Sequence, residues 1–311
     1  MKNKRKLALI LVPLLLIAII LPIATKVSAL TSTQGKLIVN FIDVLNGDCT
    51  LIQFPNGKTM LIDCGDENLE VNENTVKYIK KQGVKKLDYL MLSNIREEHI
   101  AGALNLLNLI KVEVALLPKV LKPEKFFVYS KVLALIENKN IQTQFIDCSL
   151  SLSVGCEFQV LSPFPSSVKD SSLNNFNATV EPTEQQIKDI SPIIYLGYKD
   201  TSFVLSSDAG ESEELKVLSA YSIGLYKNAN LNSIALLKVG DHGHKTATSS
   251  EFINFLNPEY AVISTISNSG PNTQVLESLQ NVKSNVLRTD VVGNVMATIN
   301  KFGHLTVKYQ Y

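Results

Sequence analysis

The fold is decided by the stretch Leu92-Ser93-Asn94-Ile95-Arg96-Glu97-Glu98-His99-Ile100-Ala101-Gly102. The apolar run that leads into it, residues 87–92, predicts a buried strand. The apolar segment that follows it, residues 103–110, predicts a helix. Open α/β folds gather ionisable side chains where a strand ends and a helix begins, so the stretch is predicted to belong to a functional site.

Other ionisable residues stand at the ends of predicted strands elsewhere in the chain. Asp63, Asp208 and residues 241–244 each come at or just after the end of an apolar run. Loops of this kind that meet at one edge of a fold form a single site. The sequence therefore predicts one polar site that is assembled from distant parts of the chain.

The order of the elements predicts the architecture. Each half of the chain begins with strands arranged as hairpins, and strands then alternate with helices. This order predicts an α+β fold of four layers, αββα, in which two mixed sheets face each other and helices cover both outer faces. The sequence assigns this domain to residues 36–311.

Residues 1–29 have the composition of an export signal. A basic start between residues 2 and 6 precedes an uncharged apolar run, residues 7–24, and Val27-Ser28-Ala29 provides small residues for cleavage. The segment is predicted to be a signal peptide or an uncleaved membrane anchor. Both place the domain outside the cell, either secreted or anchored to the outer face of the membrane.

The charge balance bears on the partners of the exported part. Without residues 1–29 the chain carries 25 Lys and Arg against 29 Asp and Glu. A mildly acidic body does not favour nucleic acid, because neutralised phosphates supply most of the non-specific affinity. The predicted partners are therefore a small-molecule or polymer ligand, and the membrane if the N-terminal segment is retained.

Four cysteines, an even number, leave disulfide formation open. Asn56-Gly57 lies between two apolar runs and predicts a hairpin. With these two as the turn residues, Cys49 would face Cys64 directly. Direct cross-strand disulfides are strained, so this placement favours reduced, packed thiols.

Several segments, in order, carry a resemblance to a known family. Residues 41–52 resemble the pattern F-x-D-V-G-x-G-D-x-x-L-I, residues 56–65 resemble N-G-x…L-I-D-x-G, and residues 237–246 resemble L-K-V-x-H-H-G-S-x-x-S. Residues 260–264 and 287–293 resemble its closing segments. The chain thus resembles the metallo-β-lactamase superfamily, especially the soluble domain of competence DNA-uptake channel proteins.

The metal-binding loop departs from the pattern of this family. The family has T/S-H-x-H-x-D-H where this chain has residues 93–99, so that Asn94 and Arg96 replace two histidines, Glu98 replaces Asp, and His99 is retained. Asp241 replaces the first His of H-H-G-S, and residues 268–272 lack the family's G-H-P histidine.

The resemblance implies a degenerate metal centre. In the family two ions share a bridging Asp and activate a hydroxide. A guanidinium cannot coordinate a cation and an amide is a weak ligand, so the first metal position is predicted to be lost. The second position has as candidate ligands Glu98, His99, Asp208 and His242.

One divalent ion, manganese or zinc, or no ion at all is therefore expected. Asp208 and His99 are the catalytic candidates, and Asp63 and His244 are supporting residues. A structural role is the alternative for each: Asp63 would hold loops and Asp208 would cap a helix. Arg96 is expected to supply the missing positive charge by pairing with Asp208 or Glu98.

Three functions remain open for the exported domain. The first is a binding module with little or no two-metal hydrolysis. The second is a metal-dependent hydrolase of the phosphodiesterase or nuclease type that uses one remaining metal position. The third is a purely structural partner at the cell surface, because fold similarity alone does not decide among these.

Overall fold

The computed structural model describes residues 34–120, 123–164, 183–265 and 270–311. The predicted export segment, residues 1–29, lies outside the described residues. Within the part of the chain that the structure describes, no helix combines the length and apolar character needed to cross a membrane.

Strands from both ends of the chain form the first sheet. Its eight strands are β1 (Leu37–Phe41), β2 (Thr50–Gln53), β3 (Thr59–Ile62), β4 (Lys86–Met91), β5 (Lys111–Leu117), β6 (Gln142–Phe145), β13 (Val295–Ile299) and β14 (Leu305–Tyr309). Their order is β14-β13-β1-β2-β3-β4-β5-β6. The strands from β3 to β6 are parallel, and the other neighbours are antiparallel.

The second sheet has six strands, all from the middle and later part of the chain. They are β7 (Glu157–Ser162), β8 (Ile193–Tyr198), β9 (Thr201–Ser206), β10 (Leu236–Lys238), β11 (Tyr260–Ile263) and β12 (Asn285–Arg288), in the order β12-β11-β10-β9-β8-β7. The strands from β9 to β12 are parallel, and β7 to β9 are antiparallel.

Helices cover the outer faces of both sheets. They are α1 (Leu69–Lys81), α2 (Glu97–Ile100), α3 (Ala103–Leu109), α4 (Phe127–Asn138), α5 (Glu184–Ile190), α6 (Glu211–Ser222), α7 (Ser250–Leu256), α8 (Thr273–Asn281) and α9 (Thr289–Val292). A central apolar core joins the sheets, and Phe41, Phe54 and Phe203 are fully buried in it. One further apolar core lies between the first sheet and its helices, and another lies between the second sheet and its helices. The predicted αββα sandwich is confirmed.

Side-chain caps set where several helices begin. Asn68 accepts a hydrogen bond from the backbone N–H of Val71 and starts α1 at Leu69. Ser249 caps α7 through Phe252, and Asn272 caps α8 through Gln274. Short polar side chains at these positions therefore fix the helix boundaries.

The first hairpin differs from its predicted form. Thr50 pairs with Ile62, and the Phe54 N–H donates to the Lys58 carbonyl, so three residues, 55–57, form the loop. This register is one residue away from the predicted one, and Cys49 is not directly opposite Cys64. Both thiols are buried and unbonded, and burial raises their pKa well above the usual value.

Gly47 holds the loop after β1 against α2. Its backbone has φ +97°, and a Cβ atom there would lie 1.6 Å from the carbonyl oxygen of Glu98. Only glycine tolerates both the left-handed conformation and this close approach. The contact brings the loop that carries Asp48 next to the loop that carries His99.

The Gly47→Ala substitution is expected to lower the free energy of unfolding by about 3 kcal/mol or more, because it combines backbone strain with a backbone clash. Gly57 is the matched control, with φ +88° and no heavy atom near its Cβ position. Gly57→Ala should cost only about 1–2 kcal/mol. Urea denaturation measures both, and equal losses would contradict the close approach.

Candidate functional site

The loops at the ends of five strands converge between the two sheets. Two groups of potential ligand atoms result, and within each group the atoms lie within 4.8 Å of one another. The first group is His99, Asp208 and His242, and the second is Asp48, Asp63 and His99. Asp63, His99, Asp208 and His242, all predicted from the sequence, therefore lie together at one site.

His99 lies at the centre of the site and is fully buried. Its Nδ1 is 2.8 Å from Asp63 Oδ2, and its Nε2 is 3.1 Å from Asp208 Oδ2. Burial alone lowers the pKa of His99, but the carboxylates of Asp208 and Asp63 outweigh it and hold the pKa well above its usual value. His99 therefore lies between two carboxylates that favour its protonated form.

Asp63 is held in place by Ser93, which comes just after the neighbouring strand β4. Its two carboxylate oxygens accept hydrogen bonds from the backbone N–H and from the hydroxyl of Ser93, at 2.8 and 2.6 Å. Ser207 Oγ in turn donates to Ser93 Oγ over 2.6 Å. Asp63 thus orients His99 and also ties the first sheet to the loop after β9.

Asp208 is a buried carboxylate that contacts two side chains of the loop after β4. Asn94 Nδ2 donates to Asp208 Oδ2 over 3.1 Å, and Arg96 Nε lies 3.5 Å from the same oxygen. Burial raises the pKa of Asp208, but the neighbouring His99, His242 and Arg96 lower it well below its usual value. The second oxygen, Oδ1, has no hydrogen-bond partner among the described residues.

Arg96 makes both of the ion pairs predicted for it. Besides its contact with Asp208, its guanidinium lies 3.3 Å from Glu98 Oε1. The backbone N–H of Arg96 donates to Asn94 Oδ1 over 2.9 Å, which shapes the loop. The structure does not bring Glu98, a predicted ligand, into either group of potential ligand atoms, and its carboxylate faces Arg96 instead.

His242 is held in an unusual backbone conformation. Asp241, His242 and Gly243 have φ values of 44°, 53° and 80°, and such a left-handed run is costly for the first two residues. His242 Nδ1 lies 3.0 Å from the Ser264 carbonyl oxygen, so Nδ1 carries the proton. Its Nε2 therefore presents a lone pair, and it has no hydrogen-bond partner among the described residues.

Asp241 and His244 lie outside the two groups of potential ligand atoms. Asp241 Oδ2 forms a buried ion pair with Lys188 Nζ of α5 at 2.8 Å. His244 is exposed, and its Nδ1 lies 2.9 Å from Thr246 Oγ1. These two residues hold the loop after β10 in place.

Two residues of the site were not predicted from the sequence. Lys238 Nζ in β10 forms a buried ion pair with Asp48 Oδ2 at 2.6 Å and donates to the Ser206 carbonyl over 3.2 Å. Burial raises the pKa of Asp48, but Lys238 lowers it below its usual value. A lysine inside the apolar run of β10 was the available signal, because a buried lysine needs an acidic partner.

Solved structures that are similar to this chain include the following two. The CmlA β-hydroxylase E377D mutant superposes with a TM-score of 0.50 and 12% identity, over 85% of this chain and 54% of that one. The metallo-β-lactamase fold protein YhfI from Bacillus subtilis gives a TM-score of 0.49 and 11% identity, over 81% of this chain and 95% of that one. The chain has the metallo-β-lactamase fold.

One sequence relative of this metallo-β-lactamase-fold chain is ComE operon protein 3 of Bacillus subtilis (strain 168). It is 27% identical over 305 residues, which is 90% of this chain and 35% of that protein. The chain therefore spans about a third of the length of this curated relative. No family model matches the chain.

Two neighbours of Asp208 are poor metal ligands. Asn94 donates to Asp208 Oδ2 and Arg96 pairs with the same oxygen, and a guanidinium cannot coordinate a cation. The residues do fit one ion, which His99, Asp208 and His242 would hold. The Nδ1 atom of His99 lies against Asp63, and that of His242 lies against the Ser264 carbonyl. This is the usual arrangement for a histidine whose Nε2 binds a metal.

The raised pKa of His99 makes the stability of the metal-free protein depend on pH. Its stabilising charge is fully present below its ordinary pKa of 6.5 and is lost as the pH rises toward its higher folded pKa. Between about pH 6 and pH 9, the unmodified protein should therefore lose more stability than the His99→Gln variant. Urea denaturation with a chelator present measures this difference.

The matched control for this measurement is His304, an exposed histidine in the turn before β14. The pH profile of His304→Gln should follow that of the unmodified protein. Parallel profiles for the unmodified protein and His99→Gln would show that His99 is not held as an imidazolium.

Proposed function

We propose that this chain is an exported, competence-related binding module that has lost two-metal hydrolysis. The observation that carries the proposal is the contact of Asp208 Oδ2 with Asn94 and Arg96. An oxygen that accepts from an amide and pairs with a guanidinium is poorly placed to bridge two ions, and Arg96 itself offers no ligand. The competence relation is supported by the similarity to ComE operon protein 3.

The charges of the buried centre also support a metal-free state. Three carboxylates face three cations, namely Asp48, Asp63 and Asp208 against Arg96, Lys238 and protonated His99. Buried charges are tolerated when they are paired and hydrogen-bonded. Arg96 also pairs with the partly exposed Glu98, so the three buried carboxylates are compensated without an ion while the cluster as a whole has one more carboxylate than cations. A divalent ion that binds His99 Nε2 would have to displace a proton from it.

The groove beside the degenerate loop offers a place for the ligand. It has a volume of about 450 Å³ and is lined by residues 95–98, residues 125–129 and Ile187. It combines apolar walls with the charged groups of Arg96, Glu97 and Lys125. A small molecule or a segment of a polymer with both apolar and polar groups suits such a groove.

The predicted export segment supports the location of this module. A basic start, an apolar run and small residues for cleavage are the features of a signal peptide or an anchor. The binding module would then act as a secreted protein or from the outer face of the membrane. Protease treatment of intact cells tests this, because only a surface-exposed domain is digested.

The loss of two-metal hydrolysis is tested with a generic phosphodiester substrate. The purified protein should show no turnover above background with manganese or zinc added. The Arg96→Ala variant should also be inactive, because it removes a charge without supplying a ligand. Turnover by the unmodified protein that is lost on chelation would contradict the proposal.

The role of Arg96 is tested by the stability of the same variant. Arg96→Ala should lower the free energy of unfolding by about 3 kcal/mol, because Asp208 would keep a buried charge with less compensation. Arg288→Ala is the matched control, since Arg288 pairs with Asp290 at a more exposed position. It should cost less than about 1 kcal/mol. Equal losses would show that Arg96 does not compensate Asp208.

A second function, a one-metal hydrolase, is favoured by a separate observation. His242 Nε2 and Asp208 Oδ1 are buried and have no hydrogen-bond partners among the described residues, and His242 and Asp208 belong to one group of potential metal ligands. Such buried atoms have lost their contacts with water and have gained no hydrogen bond in return. A bound cation would compensate for this cost. The ion would supply Lewis-acid activation of water or of a phosphoryl oxygen.

Metal content separates the two functions. Mass spectrometry of the purified protein would find about one manganese or zinc ion per chain in the second case, and turnover would be lost in His99→Ala. His244→Ala is the control, because His244 is exposed and lies outside the ligand group. Stoichiometric metal with turnover that depends on His99 would favour the hydrolase over the binding module.

A further inference from the structure

The four edge strands of the two sheets are not equally protected against pairing with another strand. β14 carries Lys308, β12 carries Arg288, and β7 carries Glu157 together with a register shift at Val160–Ser162. Charges and irregularities of this kind are how natural proteins prevent edge-to-edge pairing. β6 is the exception among the described edges, because its sequence Gln-Thr-Gln-Phe has no charge, no proline and no bulge.

The outer side of β6 is open. All four of its residues are exposed, and β5 is its one strand partner in the part of the chain that the structure describes. The strand therefore presents unpaired backbone N–H and C=O groups along one side, which form a template for a further strand. Its neighbouring charges, Lys139 and Asp147, lie beyond both ends of the strand.

An apolar groove accompanies this open edge. It has a volume of about 380 Å³, and its walls include Leu117, Tyr129, Leu133 and Ile136. Thr143 and Phe145, which point to one face of β6, also line it. Phe145 is 59% exposed, which is unusual for a large apolar side chain beside an apolar groove.

We propose that β6 is a homodimerisation edge, at which the β6 strands of two copies of this chain pair antiparallel across a two-fold axis. The strand is compatible with itself, because it brings no like charges together and an isologous contact pairs the same strand on both sides. With the axis at Gln144, each Phe145 faces Thr143 of the partner on the groove side. The eight-stranded sheets of both copies then form one continuous sheet.

This arrangement accounts for both the unpaired backbone groups and the exposed Phe145. The N–H and C=O groups on the outer side of β6 gain hydrogen-bond partners in the second copy. Phe145 of each copy is covered on the groove side of the joined sheet. The contact is small, so the expected affinity is modest, with a dissociation constant on the order of 10 µM. The degenerate site is built on other strands and is not part of this contact.

The test is the oligomeric state of the purified protein and of one charged variant. Sedimentation velocity from about 1 to about 200 µM should show a monomer–dimer equilibrium. Gln144→Lys places two ammonium groups opposite each other at the axis and should raise the dissociation constant at least about tenfold. Thr306→Lys, at an exposed position in the edge strand β14, should leave it unchanged.

A cysteine variant tests the register as well as the contact. Gln144→Cys should give a covalent dimer with a short bis-maleimide cross-linker, because the two residues are adjacent across the axis, whereas Thr306→Cys should not. Thermal melting by circular dichroism confirms that each variant is folded. A protein that is monomeric at about 200 µM, or a dimer weakened by Thr306→Lys and not by Gln144→Lys, would overturn the proposal.

Discussion

The contact between His99 and Asp208 joins the two sheets of the sandwich. His99 follows β4 of the first sheet, Asp208 follows β9 of the second, and both side chains are fully buried. Because an unpaired buried charge costs several kcal/mol, neither loop can move away without leaving the other uncompensated. Asp63 fixes the second nitrogen of His99, so the same constraint also includes the first hairpin.

Much of the fold could be predicted because the apolar patterns are local. The strand predicted over residues 87–92 and the helix predicted over residues 103–110 each lie within one residue of β4 and α3. The predicted hairpin differs because one backbone dihedral angle sets its register. The left-handed Gly57 in a three-residue loop shifts that register by one.

The site could be predicted only where its residues belong to a recognisable sequence pattern. His99, Asp208 and His242 come together as their positions at strand ends indicate. The pairing of Asp48 with Lys238 could not be predicted, because it depends on how the loop after β1 packs against the second sheet. The direction of Glu98 depends on a side-chain rotamer, which the sequence does not determine.

The contacts of Asn94 and Arg96 explain how the fold keeps Asp208 buried. A buried carboxylate is costly unless the fold provides a cation or a donor nearby. Asn94 donates to Asp208 Oδ2, and Arg96 pairs with the same oxygen. Asp208 Oδ1 and His242 Nε2 have no hydrogen-bond partners among the described residues. The compensation therefore covers one oxygen of Asp208 and leaves the other, together with His242 Nε2, chemically able to bind a cation.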